Sequence, residues 1–380
     1  MAKEEKKAPK LRFNGYTNDW ERKKLGIYVP ITMGQSPNSK NYTSNPRDNI
    51  LVQGNADLYN NRVLKRTFTT EVTKTADKDD ILMSVRAPVG DIARNQYESI
   101  VIGRGIAAIK GNNFLYYQLE KMNNSGFWKK YIAGSTFESI NGKDLKSSDI
   151  YISNYKEEKS IGNIFQTLTK TIQLHERKCE ELALIKQALL QKLFPKKDEV
   201  IPEVRYKSFS AAWEQRKLGE VIVSEHKGKV KSSMKGGNTN YLETNYLNGG
   251  IAQKVNATAD VSKNDVLILW DGSKAGTVYH GFEGALGSTL KVYVPKCSGD
   301  FLYQILKKDQ DKIYQRYRTP NIPHVIKNFT EKFIVSIPNV REQEKIAEFF
   351  HDLDSLIALH QRKLEKLKQL KKFLLQNMFI

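Results

Sequence analysis

The amino-acid sequence predicts a mixed α/β (α+β) protein, in which two globules with twisted, mostly antiparallel sheets are separated by two long helices paired as an antiparallel coiled coil. Three observations carry this prediction. The chain of 380 residues repeats itself. Each copy begins with short strand-like segments broken by turns, and each copy ends in a long heptad pattern. The length also suits two globules, since a domain typically has about 100–200 residues.

The repeat is clearest at the ends of the two copies, while the residues between these ends differ. The matching segments are LRF at 11–13 and VRY at 204–206, WERKKLG at 20–26 and WEQRKLG at 213–219, and the helical sequences at 172–194 and 357–379. A repeat of this length indicates a duplicated architecture. We interpret the chain as a tandem duplication whose ends stayed alike and whose middles diverged.

The repeat divides the chain into four predicted segments. We expect the first globule at 1–150, the first long helix with its linker at 151–203, the second globule at 204–340 and the second long helix at 341–380. Pro195 is expected to end the first helix, because proline cannot continue one. Trp20 and Trp213, at equivalent places in the two copies, are predicted to anchor the two cores.

Both long helices carry a seam whose residues recur at spacings of four and three, with one irregular step at Ile185 and Lys186. Such a seam, sustained over about four heptads, is typical of a coiled coil. The residues predicted to pair the helices are Ile161, Phe165, Leu168, Ile172, His175, Leu182 and Leu189 in the first helix, and Ile346, Phe350, Leu353, Ile357, His360, Leu364, Leu367 and Leu374 in the second. The near-central histidines are expected to approach each other and to fix the register.

The charge balance indicates an acidic partner. Lys and Arg number 61 against 42 Asp and Glu, a net charge of +19, and each predicted globule carries +8. A hydrophobic content of 39% is too high for a disordered basic chain, so the partner of a folded protein is expected to be a nucleic acid or an anionic membrane surface. No run approaches the ~20 apolar residues of a membrane span, and the N-terminus lacks the apolar core of a signal peptide, so we expect a cytoplasmic protein.

No motif for catalysis or for metal binding stands out. Cys179 and Cys297 are far apart, and the six histidines lack metal-ligand spacing. Gly103-Arg104-Gly105 lacks the third glycine and the helix of a nucleotide-binding fingerprint. Glu157-Glu158-Lys159 has the E-x-K spacing of a nuclease, but it opens a helix, where acidic residues are favoured in any case. We therefore predict no catalytic residue, no metal site and no cofactor in this chain.

Turn-rich segments of each globule mix Arg and Lys with Asn, Gln and Ser, which can contact both phosphates and base edges. The candidate DNA-binding residues are Gln35, Ser36, Asn38, Lys40, Arg62, Lys65, Arg66 and Arg86 in the first globule, and Lys229, Lys231, Lys235, Lys274, Arg316, Arg318, Asn321 and His324 in the second. For any one of them, a solvated surface side chain is the alternative interpretation.

The arrangement resembles the specificity subunit of type I restriction-modification enzymes, and the similarity extends over nearly the whole chain. The segments that carry it, besides the W-x-x-x-x-LG openings and the two repeated helices, are MGQSP at 33–37, DILMSVRAPVGDI at 80–92, DVLILWDGSKAGTV at 265–278 and GALGSTL at 284–290. The second copy has no clear match to the MGQSP turn and carries residues 229–237 instead. A transfer of contacts from one copy to the other is therefore not expected to hold loop by loop.

The resemblance implies that each globule is a target recognition domain for one half of a split sequence in double-stranded DNA. The helices would then be the spacer and the docking surface, with a globule at each end. The helix from Ile161 to Leu193 would be roughly 50 Å long at ~1.5 Å per residue. This length is enough to hold the two recognition domains about one DNA turn apart.

The partners implied by the resemblance are two modification (methyltransferase) subunits and restriction (motor-nuclease) subunits, which would bind S-adenosylmethionine, ATP and Mg, whereas this chain would be non-catalytic and would not bind a membrane. The alternative from another class is a non-enzymatic coiled-coil adaptor whose basic globules bind RNA or membrane lipids. Filter binding of duplex DNA, RNA and anionic vesicles separates the two.

Overall fold

The computed structural model describes residues 7–131, 138–196 and 199–380. The chain forms two compact units, Met1–His175 with Lys363–Ile380, and Glu176–Arg362. Each unit therefore combines one sheet-containing globule with parts of both long helices.

The first unit is rich in short strands, because runs of β-branched and apolar residues alternate with Gly, Pro, Asn and Asp. Its strands are β1 (Glu21–Lys24), β2 (Ile31–Met33), β3 (Tyr42–Thr43), β4 (Asn49–Val52), β5 (Leu58–Tyr59), β6 (Arg62–Val63), β7 (Thr67–Thr69), β8 (Thr75–Asp77), β9 (Ile81–Ser84), β10 (Ile92–Arg94), β11 (Ser99–Ile102), β12 (Ile106–Ile109) and β13 (Asp149–Ile152). Its helices are α1 (Leu25–Tyr28), α2 (Asn113–Asn124), α3 (Gly142–Ser147) and the long α4 (Tyr155–Lys192), which continues into the second unit.

These strands form a six-stranded sheet in the order β2-β12-β9-β10-β6-β5, a five-stranded sheet in the order β3-β7-β4-β11-β8, and the ribbon β1-β13. The pairs β6-β10 and β4-β11 are parallel, and the other pairs are antiparallel. Strand β9 is buried on both faces, since Ile81 and Met83 pack with Phe114 of α2, and Leu82 packs with Val52 and Ile102 of the other sheet. A continuous apolar run is the sequence pattern that such a doubly covered strand requires.

The second unit repeats this plan. Its strands are β14 (Glu214–Lys217), β15 (Ile222–Lys227), β16 (Lys235–Leu242), β17 (Lys254–Val255), β18 (Val266–Leu269), β19 (Val278–His280), β20 (Ala285–Leu286), β21 (Leu290–Pro295) and β22 (Ile334–Ile337), and its helices are α5 (Thr244–Leu247), α6 (Gly299–Lys308), α7 (Gln310–Arg316), α8 (Phe329–Lys332) and α9 (Val340–Asn377). The sheet β15-β21-β18-β19 corresponds to β2-β12-β9-β10, and the ribbon β14-β22 corresponds to β1-β13. The predicted duplication is thus visible in the strand order.

The two long helices are antiparallel, as the heptad pattern predicts. In the first unit Phe165, near the start of α4, lies 5.6 Å from Phe379, just after the end of α9, as measured between ring centroids. In the second unit the roles are exchanged, since Phe350 near the start of α9 stacks 6.1 Å from Phe194 after the end of α4. Every predicted pairing residue is buried or half-buried. The predicted approach of the two central histidines stays a prediction.

The irregular step of the seam has a structural reason. Lys186 lies at a seam position, and its Nζ is 2.7 Å from Oδ1 of Asp354 on α9. Gln304 of α6 donates a further hydrogen bond of 3.3 Å to the same carboxylate. A polar contact at this position specifies how the helices pair, whereas an apolar seam alone would tolerate slippage.

A buried arginine–glutamate pair lies in each unit and explains the repeated LRF and VRY segments. Arg12 binds both carboxylate oxygens of Glu157, at 2.6 and 2.8 Å, and Arg205 binds those of Glu342 at 2.7 and 2.8 Å. Both glutamate side chains are fully buried in the first turn of a long helix. The first glutamate of the E-x-K segment at 157–159 is therefore one half of a structural ion pair. This role explains the residue without nuclease chemistry.

The predicted core anchors are buried and packed against the ends of the long helices. Trp20 and Trp213 are 1% and 2% exposed. The ring of Trp20 meets that of Phe379 edge-on at 6.3 Å, and the ring of Trp213 meets that of Phe194 at 5.9 Å. The residues that follow each long helix are thus part of a globule's core, beside the tryptophan that opens a copy of the repeat.

We predict that Arg205→Met lowers the free energy of unfolding of the second unit by about 3 kcal/mol, because it leaves the buried carboxylate of Glu342 without its partner. The double variant with Glu342→Gln should recover part of the loss, since the uncompensated charge is gone. Urea denaturation of the full chain, followed by Trp fluorescence, measures both.

Arg216→Met is the matched control, since Arg216 forms an exposed ion pair with Glu214, which is expected to contribute nothing measurable. Equal losses from the buried and the exposed arginine would show that the buried pair has no special role.

Candidate nucleic-acid interface

A glycine turn at the end of β2 is the first part of the candidate site. The N–H of Gly34 donates a 2.9 Å hydrogen bond to the carbonyl of Ile106. A Cβ atom at Gly34 would lie only 2.1 Å from the carbonyl oxygen of Gly103, so no other residue fits without moving the backbone. The turn at 34–38 is therefore pressed against the β11–β12 turn.

The second unit contains the same turn, although its sequence shows no clear match to MGQSP. Gly228 donates a 2.9 Å hydrogen bond to the carbonyl of Leu290, and a Cβ there would lie 2.1 Å from the carbonyl oxygen of Gly287. The register of β15 shifts between Ile222 and Ser224, which places one extra residue before the turn. The repeat offset therefore changes by one, and the glycine itself was the only signal in the sequence.

A third loop completes the arrangement in each unit. The N–H of Gly103 bonds to the carbonyl of Val52 at the end of β4, at 2.8 Å, and Gly287 bonds in the same way to Leu242 at the end of β16, at 2.9 Å. We call these sets of three loops the loop platforms. The platforms consist of 34–38, 53–54 and 103–105 in the first unit, and of 228–231, 242–243 and 287–289 in the second.

The first platform carries Gln35, Ser36 and Asn38, which the sequence singled out, and Arg104, which it did not. Ser36 Oγ accepts a 3.1 Å hydrogen bond from the Arg104 N–H. Gln35 and Arg104 are exposed, and within the described ranges neither side chain has an ion pair or a hydrogen bond. The Gly-Arg-Gly sequence at 103–105 does not by itself indicate a nucleic-acid contact, so the place of Arg104 becomes visible only in the structure.

A carboxylate beside this platform orders the adjoining turn. Glu71 accepts a 2.8 Å hydrogen bond from the Asn38 N–H and a 2.7 Å bond from the Asn41 side chain. These hydrogen bonds lower the pKa of Glu71 below its ordinary value. Asn38 Oδ1 in turn accepts a bond from the N–H of Lys40, whose side chain is exposed.

The other candidates of the first unit divide into two groups. Arg86 lies next to the platform, because the preceding residue, Val85, donates a 2.9 Å hydrogen bond to the Gly105 carbonyl. Arg62 of β6 lies opposite Arg94 of β10 in the strand register, on the side of the six-stranded sheet away from β2. The remaining two have partners of their own, with Lys65 Nζ 4.5 Å from the ring of Tyr97 and Arg66 bound to the carbonyl of Ala56.

Three candidate lysines of the second unit lie on or just after its platform. Lys229, Lys231 and Lys235 are exposed, and none of them has a side-chain partner within the described part of the chain. A 3.0 Å hydrogen bond from the N–H of Met234 to the carbonyl of Lys231 closes the turn between them. The arrangement presents three ammonium groups from one short, ordered segment.

His324 is brought beside this platform by backbone contacts, and Lys274 and Asn321 each lie three residues along the chain from these contacts. Asp271, three residues before Lys274, bonds through its N–H to the Thr289 carbonyl and forms a β-bridge with His324. Lys274 and Asn321 are exposed and His324 is half-buried.

The two arginine candidates lie differently. The Arg318 guanidinium donates to the carbonyls of Tyr314 and Ser273, at 2.8 and 3.1 Å, so it holds loops together. Arg316 lies away from the platform, at a cavity of about 560 Å³ that Lys308 and Phe194 also line.

Among the described residues, no group of His, Cys, Asp and Glu could hold a metal ion. His280 Nε2 lies 3.1 Å from Asp300 Oδ1, and this hydrogen bond lowers the pKa of Asp300. Within the same residues, no helix is both long enough and apolar enough to cross a bilayer.

Comparison with solved structures shows the same fold elsewhere. The crystal structure of the S subunit of a type I restriction-modification system from M. genitalium matches 98% of this chain and 99% of its own, with a TM-score of 0.75 and 19% identity. A second structure, solved to explain complex assembly and conformational transition of the type I R-M system, matches 95% of this chain and 97% of its own. Its TM-score is 0.53 and its identity is 15%. Identities this low establish the likeness of fold alone.

Two curated relatives from Methanocaldococcus jannaschii are closer in sequence. The chain is 32% identical over 194 residues to the type I restriction enzyme MjaVIII specificity subunit, covering 48% of this chain and 45% of the relative. It is 32% identical over 209 residues to the putative MjaX specificity subunit, covering 52% and 48%. The match thus spans about half the length of each relative.

The family comparison covers both copies of the repeat. The model of the type I restriction modification DNA specificity domain matches residues 17–184 and, separately, residues 211–369. Each match contains one complete loop platform and most of one long helix. The chain therefore belongs to the family of type I restriction-modification DNA specificity proteins, with two copies of the family's domain.

Proposed function

We propose that this chain is the non-catalytic, sequence-specific DNA-binding subunit of a type I restriction-modification complex. Each globule binds one half of a bipartite target in double-stranded DNA, and the paired helices set the distance between the halves. The observation that carries this proposal is the separate match of the specificity domain to residues 17–184 and 211–369. A chain with two such domains has the domain organisation that a two-part target requires.

The loop platforms support two different half-sites. The two platforms share the same backbone hydrogen bonds, but the first carries Gln35 and Arg104 where the second carries Lys229 and Ser288. A duplicated scaffold suits duplex DNA, whose backbone has local two-fold symmetry. Different side chains on that scaffold suit different base sequences, because base edges differ in their donors and acceptors.

The partners that we propose are two modification (methyltransferase) subunits and restriction (motor-nuclease) subunits. S-adenosylmethionine, ATP and Mg would be bound by those partners, and the complex would act on DNA in the cytoplasm. The adaptor alternative, with RNA or lipids as ligand, has no support from the family match.

Exposed leucines on the helices support two equivalent docking faces. Leu174 on α4 and Leu359 on α9 occupy equivalent places in the repeat and are 62% and 57% exposed, and the equivalent pair Ile185 and Leu370 is 46% exposed in each case. We propose these side chains as contact points of the two docking faces, because each is exposed at an equivalent place in both copies. A pseudo-symmetric scaffold offers such a surface twice.

Exchanging residues 204–340 for the corresponding globule of a family member with another target should change half of the methylated sequence in cells and leave the other half as before. The physical reason is that each platform is built within one globule. Sequencing of methylated positions in a host without its own system measures the outcome. A change in both halves, or in neither, would contradict the assignment of one globule to one half-site.

Lys231→Ala and Lys235→Ala should weaken binding to all duplex sequences alike. Each lost phosphate contact should also reduce the slope of log affinity against log salt by about 1. Binding titrations of the full chain at several salt concentrations measure both quantities. Lys217→Ala, in the exposed strand β14, is the control, and an equal effect there would show that the lysines act only through net charge.

The reconstituted complex should contain two modification subunits for each copy of this chain, and Leu359→Glu should reduce that number to one while the Leu174 face keeps its copy. Mass measurement of the purified complex decides the ratio. Ile27→Glu, at an apolar side chain that is 80% exposed but lies outside the long helices, is the control. A one-to-one complex of the unaltered chain would contradict two equivalent faces.

A further inference from the structure

We infer that the loop platform is the base-reading element of each globule, and that Arg104 specifies a guanine in the half-site bound by the first globule. The inference rests on the proposed function and adds to it the residue and the base. No sequence pattern pointed to Arg104 as a DNA contact. Its position in the structure does.

Backbone contacts on every side hold Arg104 in place. The preceding residue, Gly103, donates to the Val52 carbonyl at 2.8 Å, Arg104 donates to Ser36 Oγ at 3.1 Å, and the Gly105 carbonyl accepts from Val85 at 2.9 Å. A Cβ at Gly105 would lie 2.2 Å from the Gln53 carbonyl oxygen. The turn is thus fixed on both sides of the arginine.

Within the described residues, the side chain of Arg104 makes no hydrogen bond and no ion pair. It is exposed, and among the residues that the structure describes it has no acceptor and no aromatic ring beside it. An ordered backbone with an unengaged side chain is pre-organised for a ligand, because little conformational freedom of the chain is lost on binding. A guanidinium matches the O6 and N7 acceptors of guanine in bidentate fashion, and this is the commonest specific contact to a base.

Other arginines of the same chain show the contrast. Arg94 is half-buried and donates to the carbonyls of Asp79 and Gly111, and its partial burial lowers its pKa. Arg318 is bound to two carbonyls, and Arg12 to a buried carboxylate. These guanidinium groups hold the fold together, whereas that of Arg104 is available.

The second platform presents different chemistry at the same place. Ser288 follows Gly287 as Arg104 follows Gly103, and its N–H bonds to the Val230 carbonyl at 3.0 Å, where that of Arg104 bonds to Ser36. The short, half-buried side chain of Ser288 cannot reach a base edge as an arginine side chain can. The half-site of the second globule should therefore lack a guanine specified from this turn.

The test uses the full chain purified with its modification subunits and a random-sequence duplex library, from which bound molecules are selected and sequenced. The unaltered chain should select a bipartite sequence. Arg104→Ala should reduce the preference for one guanine of one half-site by about ten-fold or more and leave the other positions and the other half-site unchanged. Arg22→Ala, an exposed arginine of β1, should leave all preferences unchanged.

Each other outcome counts against a distinct statement. A uniform loss of affinity for all sequences would make Arg104 a phosphate contact and overturn the inference, while the proposed function would stand. An unchanged selection would overturn it as well, and loss of a base other than guanine would overturn the assigned base. If the unaltered chain selects no sequence at all, the proposed function fails.

Discussion

The buried pair of arginine and glutamate is the interaction on which each unit depends. A carboxylate without solvent is costly, and only a bidentate guanidinium with further hydrogen bonds offsets that cost. Both carboxylates have the bidentate guanidinium, and each pair has a further hydrogen bond, from Ser153 Oγ to Glu157 and from Arg205 to the Ala211 carbonyl. The backbone N–H of each glutamate donates a 3.0 Å hydrogen bond to the asparagine three residues before it. The pair ties the segment before the core tryptophan to the first turn of a long helix.

This anchoring makes the long helices part of the globules. Beside the ion pairs, the N–H of Leu11 bonds to the Asn377 carbonyl at the end of α9, and that of Val204 bonds to Lys192 at the end of α4. Each globule therefore holds the start of one helix and the end of the other. Antiparallel pairing follows from these anchors, so the seam can include polar residues such as Lys186 that set register at some cost in apolar contact.

The sequence predicted what is local or repeated. The long helices and the duplicated fold follow from periodicity and from the matching ends. The ion pair of Arg12 joins residues 145 positions apart, so the E-x-K segment could be explained only in three dimensions. The platform of the second copy was hidden because the bulge in β15 moves Gly228 by one place in the alignment. Surface charge patterns also failed to separate the structural Arg318 from the exposed Arg104.

The platforms separate the residues that maintain the fold from those that meet a ligand. Gly34 and Gly228 cannot carry a side chain, since the carbonyl oxygens of Gly103 and Gly287 would lie 2.1 Å from it. The exposed residue after each glycine is under no such constraint, and substitution of an exposed side chain usually changes stability little. The two copies could therefore keep one backbone and diverge in Gln35 and Lys229. Such a division lets recognition change in one half while the anchors, the helices and the other half stay as they are.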